Sequence, residues 1–406
     1  MGVLQHVGIQ PEALEGFGCN PRNGRNHPTA SYWGCDRVRN VLLHPVDGGV
    51  LMPRRTKIIL TAVYFMATIQ FAWCYLWITQ PYVSTPLYEL GQERMPFQGR
   101  ILMMWPMRWA HESAILHSMG EPFSKSHFWF PRPVTPEVLV QSVMNVLSLL
   151  CAGYVATRIY QASSKTQLLT PVVYPLLLAA CVATYMLHTV QNFRFIYDLP
   201  SLAFFSAAMY LIYFRKHWAY FVALFVVATM NRETTLLLLP LYMLNEAVEH
   251  GELRWPLVFR RRTLLVVVPL GVAWIGWQTF IWHMFAHNAS EFYPRIDWNL
   301  KSIVSPHAWP QLFSACGYLM LFVVAMRKHI SDPQLRAWMW LLPVWLTFMF
   351  VFGIFIETRV FGELIPFVVC ATTLIVEQIL LVRMKTAAPT RKLKKSRTAI
   401  VVSKAA

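Results

Sequence analysis

Ten apolar runs, at about 58–79, 136–157, 168–187, 199–214, 218–230, 234–248, 264–285, 309–326, 337–355 and 364–382, fill nearly half of the 406 residues. The full-length ones match the ~20 residues that a helix needs to cross a ~30 Å hydrocarbon core, where each backbone N–H and C=O must be paired within the helix. The expected fold is therefore all-α, a polytopic transmembrane bundle of about ten spans. With 56% hydrophobic residues, and with 80–135 as the longest connection, no sizeable soluble domain is left to find.

The formal net charge of +16 would invite a nucleic-acid reading if the charges were scattered. They are not. The connections at Arg54 to Lys57, Arg158, Arg215, Arg254 and Arg327, together with everything from Arg383 on, carry 22 basic residues against five acids. The alternate connections carry ten basic residues and eleven acids: Glu89, Glu93, Glu112, Glu121, Glu137, Asp198, Glu233, Glu291, Asp297, Glu357 and Glu363. Because Lys and Arg in short loops hold those loops in the cytoplasm, both termini are expected there, with the acid-rich set outside. Membrane lipids are the expected surroundings and no nucleic-acid partner is expected.

This topology requires the apolar stretch 218–248 to split at Asn231-Arg232-Glu233 into a short-legged hairpin. A single crossing would put 15 basic residues outside against three inside (Arg295, Lys301 and Arg359), reversing the charge bias. Legs of this length reach only about 20 Å at 1.5 Å per residue. Arg232 and Glu233 are thus expected below the outer interface, where charged, irregular backbone is tolerated only if protein or a wet cavity surrounds it.

Residues 1–51 lack any apolar run long enough to be a span or signal peptide, and are expected to be a disordered tail or an over-called start. Residues 52–385 form the single transmembrane domain, and 386–406 a basic cytoplasmic tail suited to an anionic leaflet. Five of the seven Cys fall inside spans without C-x-x-C spacing, which implies neither a disulfide framework nor a zinc site. The absence of Walker, GxGxxG and GxSxG motifs argues against ATP-driven transport in cis, dinucleotide chemistry and a hydrolase elbow. His111-Glu112 opens like a zincin helix but has Ile at 115. His283 and His287 at i, i+4, with Glu291 a turn further on, could hold a divalent cation; otherwise no cofactor is expected.

The candidate site is the set of charges converging on the outer side. The first loop contributes Glu89, Glu93 and Arg100, the third-to-fourth connection Arg194 and Asp198, the hairpin apex Arg232 and Glu233, and the last turn Glu357, Arg359 and Glu363. Transfer from a phosphorylated lipid needs a carboxylate to take a proton from an acceptor and guanidiniums to hold phosphate. Simpler roles exist for several: Asp198 before Leu199-Pro200 suits a helix N-cap, and Arg359 with Glu363 suits an i, i+4 pair. Ile101 to Leu116, mixing Met and Trp with Arg108 and Glu112, reads as a helix lying in the interface.

Pro96-Phe97-Gln98-Gly99-Arg100, Tyr197-Asp198-Leu199-Pro200-Ser201, Asn231-Arg232-Glu233-Thr234 and Glu357-Thr358-Arg359-Val360-Phe361-Gly362-Glu363 together resemble uncharacterised bacterial multispan proteins related to GT-C-type glycosyltransferases, over about 55–385. The resemblance implies sugar transfer from a polyprenyl-phosphate carrier on the non-cytoplasmic side of a bacterial inner membrane, in envelope glycan or lipid assembly. It also implies an acidic base in the first outer loop, here Glu89 or Glu93. Arg100, Arg194, Arg232 and Arg359 would then bind phosphate, while Asp198, Glu233, Glu357 and Glu363 orient groups or hold a cation. The rival readings are a transporter or flippase, and a noncatalytic scaffold subunit.

Overall fold

A computed structural model describes residues 53–125, 133–187 and 192–387. The expectations for 1–51 and for nearly all of the basic tail lie outside them. Helix α1 (Arg54–Ile78) stops where Thr79 turns extended ahead of Pro81. The chain then builds a folded cap from α2 (Thr85–Leu90), α3 (Met104–Glu112) and α4 (Ala114–Lys125). Long helix α5 (Pro136–Ser163) follows, then α6 (Thr170–Tyr185) and α7 (Asp198–Tyr213). The stretch 218–248 does divide: α8 (Trp218–Asn231) ends at an extended Arg232, a 3-10 turn runs Glu233–Leu237, and α9 (Leu238–Glu246) leads away. Phe221 and Tyr242, near the two feet, stack at 5.0 Å, so the second leg runs back along the first. Then come α10 (Arg261–Met284), α11 (Ile296–Val304), α12 (Leu341–Phe352) and α13 (Ile365–Ala387).

Five helices are long and apolar enough to cross a membrane, as befits a membrane protein: α1, α5, α10, the Pro333–Phe352 stretch that contains α12, and the Thr358–Met384 stretch that contains α13. Three shorter apolar helices, α6, α7 and α8, accompany them. The run 309–326 is not one helix. Cys316, Gly317 and Tyr318 are all left-handed, with φ of 53°, 68° and 63°, and they break it into Trp309–Phe313 and Leu319–Ala325.

Burial sorts the helices. The apolar window around α13 is 67% buried and that of α10 only 11%, so α13 forms the centre of the bundle and α10 its wall. Close packing at the centre depends on small residues. At Gly153 of α5 a Cβ would fall inside the Tyr174 ring, and that ring is held by a 2.5 Å hydrogen bond between its hydroxyl and Thr68 Oγ1.

The first connection is more ordered than a loop. Gln80–Pro81 pairs in parallel with Phe193–Arg194, and Val83, Tyr88, Met103, Met104 and Met107 pack with Phe195, Ile196 and Tyr197 into a small second core. Trp105 and Trp109 stay exposed on the opposite face of α3, as an interfacial helix requires. The connections that the charge pattern sorted together also meet at the other end: Arg215 donates to the Val248 carbonyl at 2.7 Å and Ser164 to Glu377 at 2.7 Å.

Because Tyr174 is tethered, Gly153→Ala is expected to destabilise the protein by about 1–3 kcal/mol through overpacking, read as a lower midpoint in thermal unfolding. Gly276→Ala, on the same scale, has open space around the new methyl and is expected to be neutral or to stabilise by about 0.5–1 kcal/mol.

Candidate functional site

The site grows from Arg232, which an apolar hairpin carries into the bundle. Its Nη1 lies 3.4 Å from Asp198 Oδ1 at the start of α7 and 3.3 Å from Glu363 Oε1 just before α13. Glu363 Oε1 also accepts from Ser201 Oγ at 2.6 Å and Thr234 Oγ1 at 2.8 Å. All three charges are buried. The apex is pinned from both sides, since Asn231 Nδ2 donates to the Tyr197 carbonyl at 3.3 Å and Trp274 Nε1 to the Glu233 carbonyl at 3.1 Å.

Two further pairs stand beside this centre. Arg100 grips Glu233 with both its Nε, at 2.9 Å, and its Nη2, and lies 4.2 Å over the Tyr197 ring. Arg359 sits 3.8 Å over the Phe195 ring and sends Nε and Nη2 to one oxygen of Glu357, Oε2, at 3.2 and 2.5 Å. Glu357 Oε1 accepts no hydrogen bond among the described residues. Arg100, Asp198, Arg232, Glu233, Glu357 and Arg359 all line a single cavity of about 250 Å³.

Two features make this cavity chemically unfinished. Arg232 Nε and Arg359 Nη1 are buried N–H groups with no hydrogen-bond partner among the described residues. Unpaired buried donors cost roughly 1–3 kcal/mol each, more when charged, unless something else accepts from them. An anion between Arg232 and Arg359 would do so, while the free oxygen of Glu357 stands at the same wall.

The other sequence candidates lie elsewhere. Glu93 is a loop clamp: its carboxylate accepts from the Ser84 backbone N–H at 2.8 Å and from Arg94 at 3.2 Å. Arg194 donates to the carbonyls of Leu76 and Thr79 at 2.7 and 2.5 Å, finishing the C-terminus of α1. Glu89 faces a separate cavity, with His111 and Glu137, and burial followed by the Glu137 charge raises its carboxyl above the usual range. The acids of the first loop therefore do not reach the arginine-lined cavity; Arg100 alone of the loop candidates does. Asp198 is not an N-cap, because it is already helical and its carboxylate turns to Arg232. Nor do Arg359 and Glu363 pair: they lie on a 3-10 turn, Thr358–Leu364, whose period of three puts residues four apart on different faces. Helix α10 ends at Met284, so His283, His287 and Glu291 share no helix face, and Glu291 pairs with Arg94 instead.

Glu291 and Arg295 join the cavity lining, as does an aromatic wall that includes Trp274, Phe292, Phe348 and Phe352. Sequence reading missed the aromatic seats of the arginines. Their signal was the run of rings Phe193, Phe195 and Tyr197 around Arg194 and Asp198, of which only Phe193–Arg194 is strand and Tyr197 already turns into α7. Compared with family models, curated proteins and solved structures, the chain matches none of them.

Removing Arg232 would leave two carboxylates buried without a cation. Arg232→Ala is expected to lower stability by about 3–5 kcal/mol in thermal unfolding, and the triple variant Arg232→Met, Asp198→Asn, Glu363→Gln to regain much of that loss. If Arg232→Ala unfolds at the wild-type midpoint, the ion cluster does not hold the helices together.

Proposed function

We propose that the protein is an integral membrane transferase of GT-C-like type that takes a sugar from a polyprenyl-phosphate carrier and passes it to an acceptor hydroxyl in envelope glycan or lipid assembly. In this reading the acid-rich end faces the extracytoplasmic side of a bacterial inner membrane, both termini are cytoplasmic, and the shorter helices complete about ten spans.

The observation that carries the reading is the junction of two surfaces of opposite character. The arginine-lined cavity shares Phe348 and Phe352 with a groove of about 650 Å³ between α9 and α12, lined by Leu236, Leu239, Pro343, Val344 and Val351 and almost wholly apolar. An anionic head in the first and an isoprenoid chain in the second fit one amphiphile; a free sugar phosphate would have no use for the groove. Supporting access from the lipid on this side, Phe292, Tyr293 and Phe352 are exposed and α10 is the least buried of the long helices.

The chemistry divides among the residues that line the cavity. Glu357 Oε1 takes the proton of the acceptor hydroxyl, the acceptor oxygen bonds to the sugar C1, and the C1–O bond to phosphate breaks with its electron pair on the phosphate. Arg232 and Arg359 hold that growing charge, whose attraction is strong in a site of low dielectric. Asp198, Glu233 and Glu363 keep the arginines in place. The base moves from the first loop, where the resemblance put it, to the last turn.

The test uses the whole protein in nanodiscs. Polyprenyl phosphate is expected to raise the unfolding midpoint and polyprenol to leave it unchanged, with the shift lost in Arg359→Ala. Glu357→Gln is expected to bind the lipid normally and to transfer labelled sugar at least ~100-fold more slowly, the usual contribution of a positioned base. Equal shifts with both lipids, or none with either, would rule the reading out.

A further inference from the structure

Away from the arginine-lined cavity, the cap holds a second constellation of its own. Glu89 at the end of α2, His111 in α3 and Glu137 in the first turn of α5 bring one ligand atom each to within 4.8 Å of one another. His111 Nδ1 is 3.0 Å from Glu137 Oε1 and 3.8 Å from Glu89 Oε2. Three ligands held ~2.1 Å from one divalent ion lie roughly 3.0–3.5 Å apart, so small side-chain adjustments close the set.

Hydrogen bonding within the protein does not account for Glu89. The residue is 8% exposed, its Oε1 has no hydrogen-bond partner among the described residues, and its Oε2 lies too far from His111 for one. A carboxylate buried in this way is costly unless a cation meets it. The backbone holds it there, since Arg108 donates to the Glu89 carbonyl and fixes the end of α2 against α3.

A second orphan points the same way. Gln141, one helical turn beyond Glu137 on α5, is buried with Nε2 unpartnered among the described residues, and it lines the same cavity of about 880 Å³ as Glu89, His111 and Glu137. An amide donor aimed beside two carboxylates and an imidazole suits a metal-bound water or an oxygen of a bound ligand. The His111 ring is exposed on its far side, so the ion can enter from outside the bundle.

We propose that Glu89, His111 and Glu137 form a binding site for a first-row divalent transition-metal ion, with its remaining positions open to the cavity beside Gln141. Imidazole and carboxylate are both ligands that zinc and its neighbours accept, three protein ligands leave a position open, and the imidazole sets this trio apart from the all-oxygen cages that hold calcium. The site joins α2, α3 and α5, so the bound ion would clamp the cap to the long helix. Nothing in it touches the arginine-lined cavity, and it stands or falls independently of sugar transfer.

Zn²⁺ is the probe. The full chain in nanodiscs is stripped with chelator, reloaded and dialysed, and Zn²⁺ is counted per chain while its effect on the unfolding midpoint is followed. Wild type is expected to retain one Zn²⁺ at this site and to unfold at a higher midpoint with it. His111→Ala and Glu137→Gln are expected to retain one ion fewer and to lose the shift, with metal-free midpoints near wild type for His111→Ala because that side chain is mostly exposed. A wild type that retains no Zn²⁺, or a His111→Ala variant that matches wild type in both count and shift, would overturn the assignment.

Discussion

A guanidinium inside a membrane bundle has no water to solvate it, so its counter-charges must come from the protein itself. Arg232 meets this demand with one carboxylate from the start of α7 and one from the 3-10 turn just before α13. These segments are far apart in the chain, and the pairing fixes their relative positions. The same rule extends outward: Arg100 needs Glu233, and Arg359 needs Glu357. Because each arginine is seated on an aromatic ring or gripped by more than one bond, the charges are held in place before any ligand arrives.

Such an arrangement is poor value for stability alone. Buried ion networks are often matched or bettered by apolar side chains of similar volume, and this one leaves Arg232 Nε, Arg359 Nη1 and Glu363 Oε2 without hydrogen-bond partners among the described residues. Unspent donors next to a cavity are better explained by an anionic ligand than by packing. In the proposed reading, the adjoining apolar groove would select among anions by asking for a long hydrocarbon chain on the same molecule. Head and tail thus make separate demands, and a lipid phosphate meets both.

Much of the scaffold was legible in the chain. Apolar runs of helix length gave α1, α5, α10 and α13, and the charged tripeptide at 231–233 in an apolar stretch announced the turn between α8 and α9 because no single buried helix would carry Arg232 and Glu233 there unpaired. The 215 and 248 connections, which charge sorting grouped, are in contact through Arg215 and the Val248 carbonyl. The break at 316–318 was less visible: Gly317 is a small hint, but Cys316 and Tyr318 seldom adopt left-handed backbone, and tertiary packing imposes it. At the site, sequence reading named six charges that line one cavity, but also Glu89, Glu93 and Arg194, which do not, and it mistook some of the partners. Local rules favoured Arg359 with Glu363 and an N-capping Asp198; the 3-10 turn separated the first pair, leaving Arg359 to its neighbour Glu357, while the distant Arg232 drew Asp198 and Glu363. Whether an outer-loop acid reaches the cavity depends on how 80–125 folds over the bundle, and that follows from a two-residue strand pairing and a Met-rich second core with no periodic signature.

The most direct measurement is a cryo-EM structure of the protein in nanodiscs with polyprenyl phosphate. Phosphate density between the Arg232 and Arg359 guanidiniums, with the chain continuing past Phe348 and Phe352 into the groove against α12, is the expected result. Lipid bound with its headgroup elsewhere, or an arginine-lined cavity that stays free of phosphate at saturating lipid, would contradict the account.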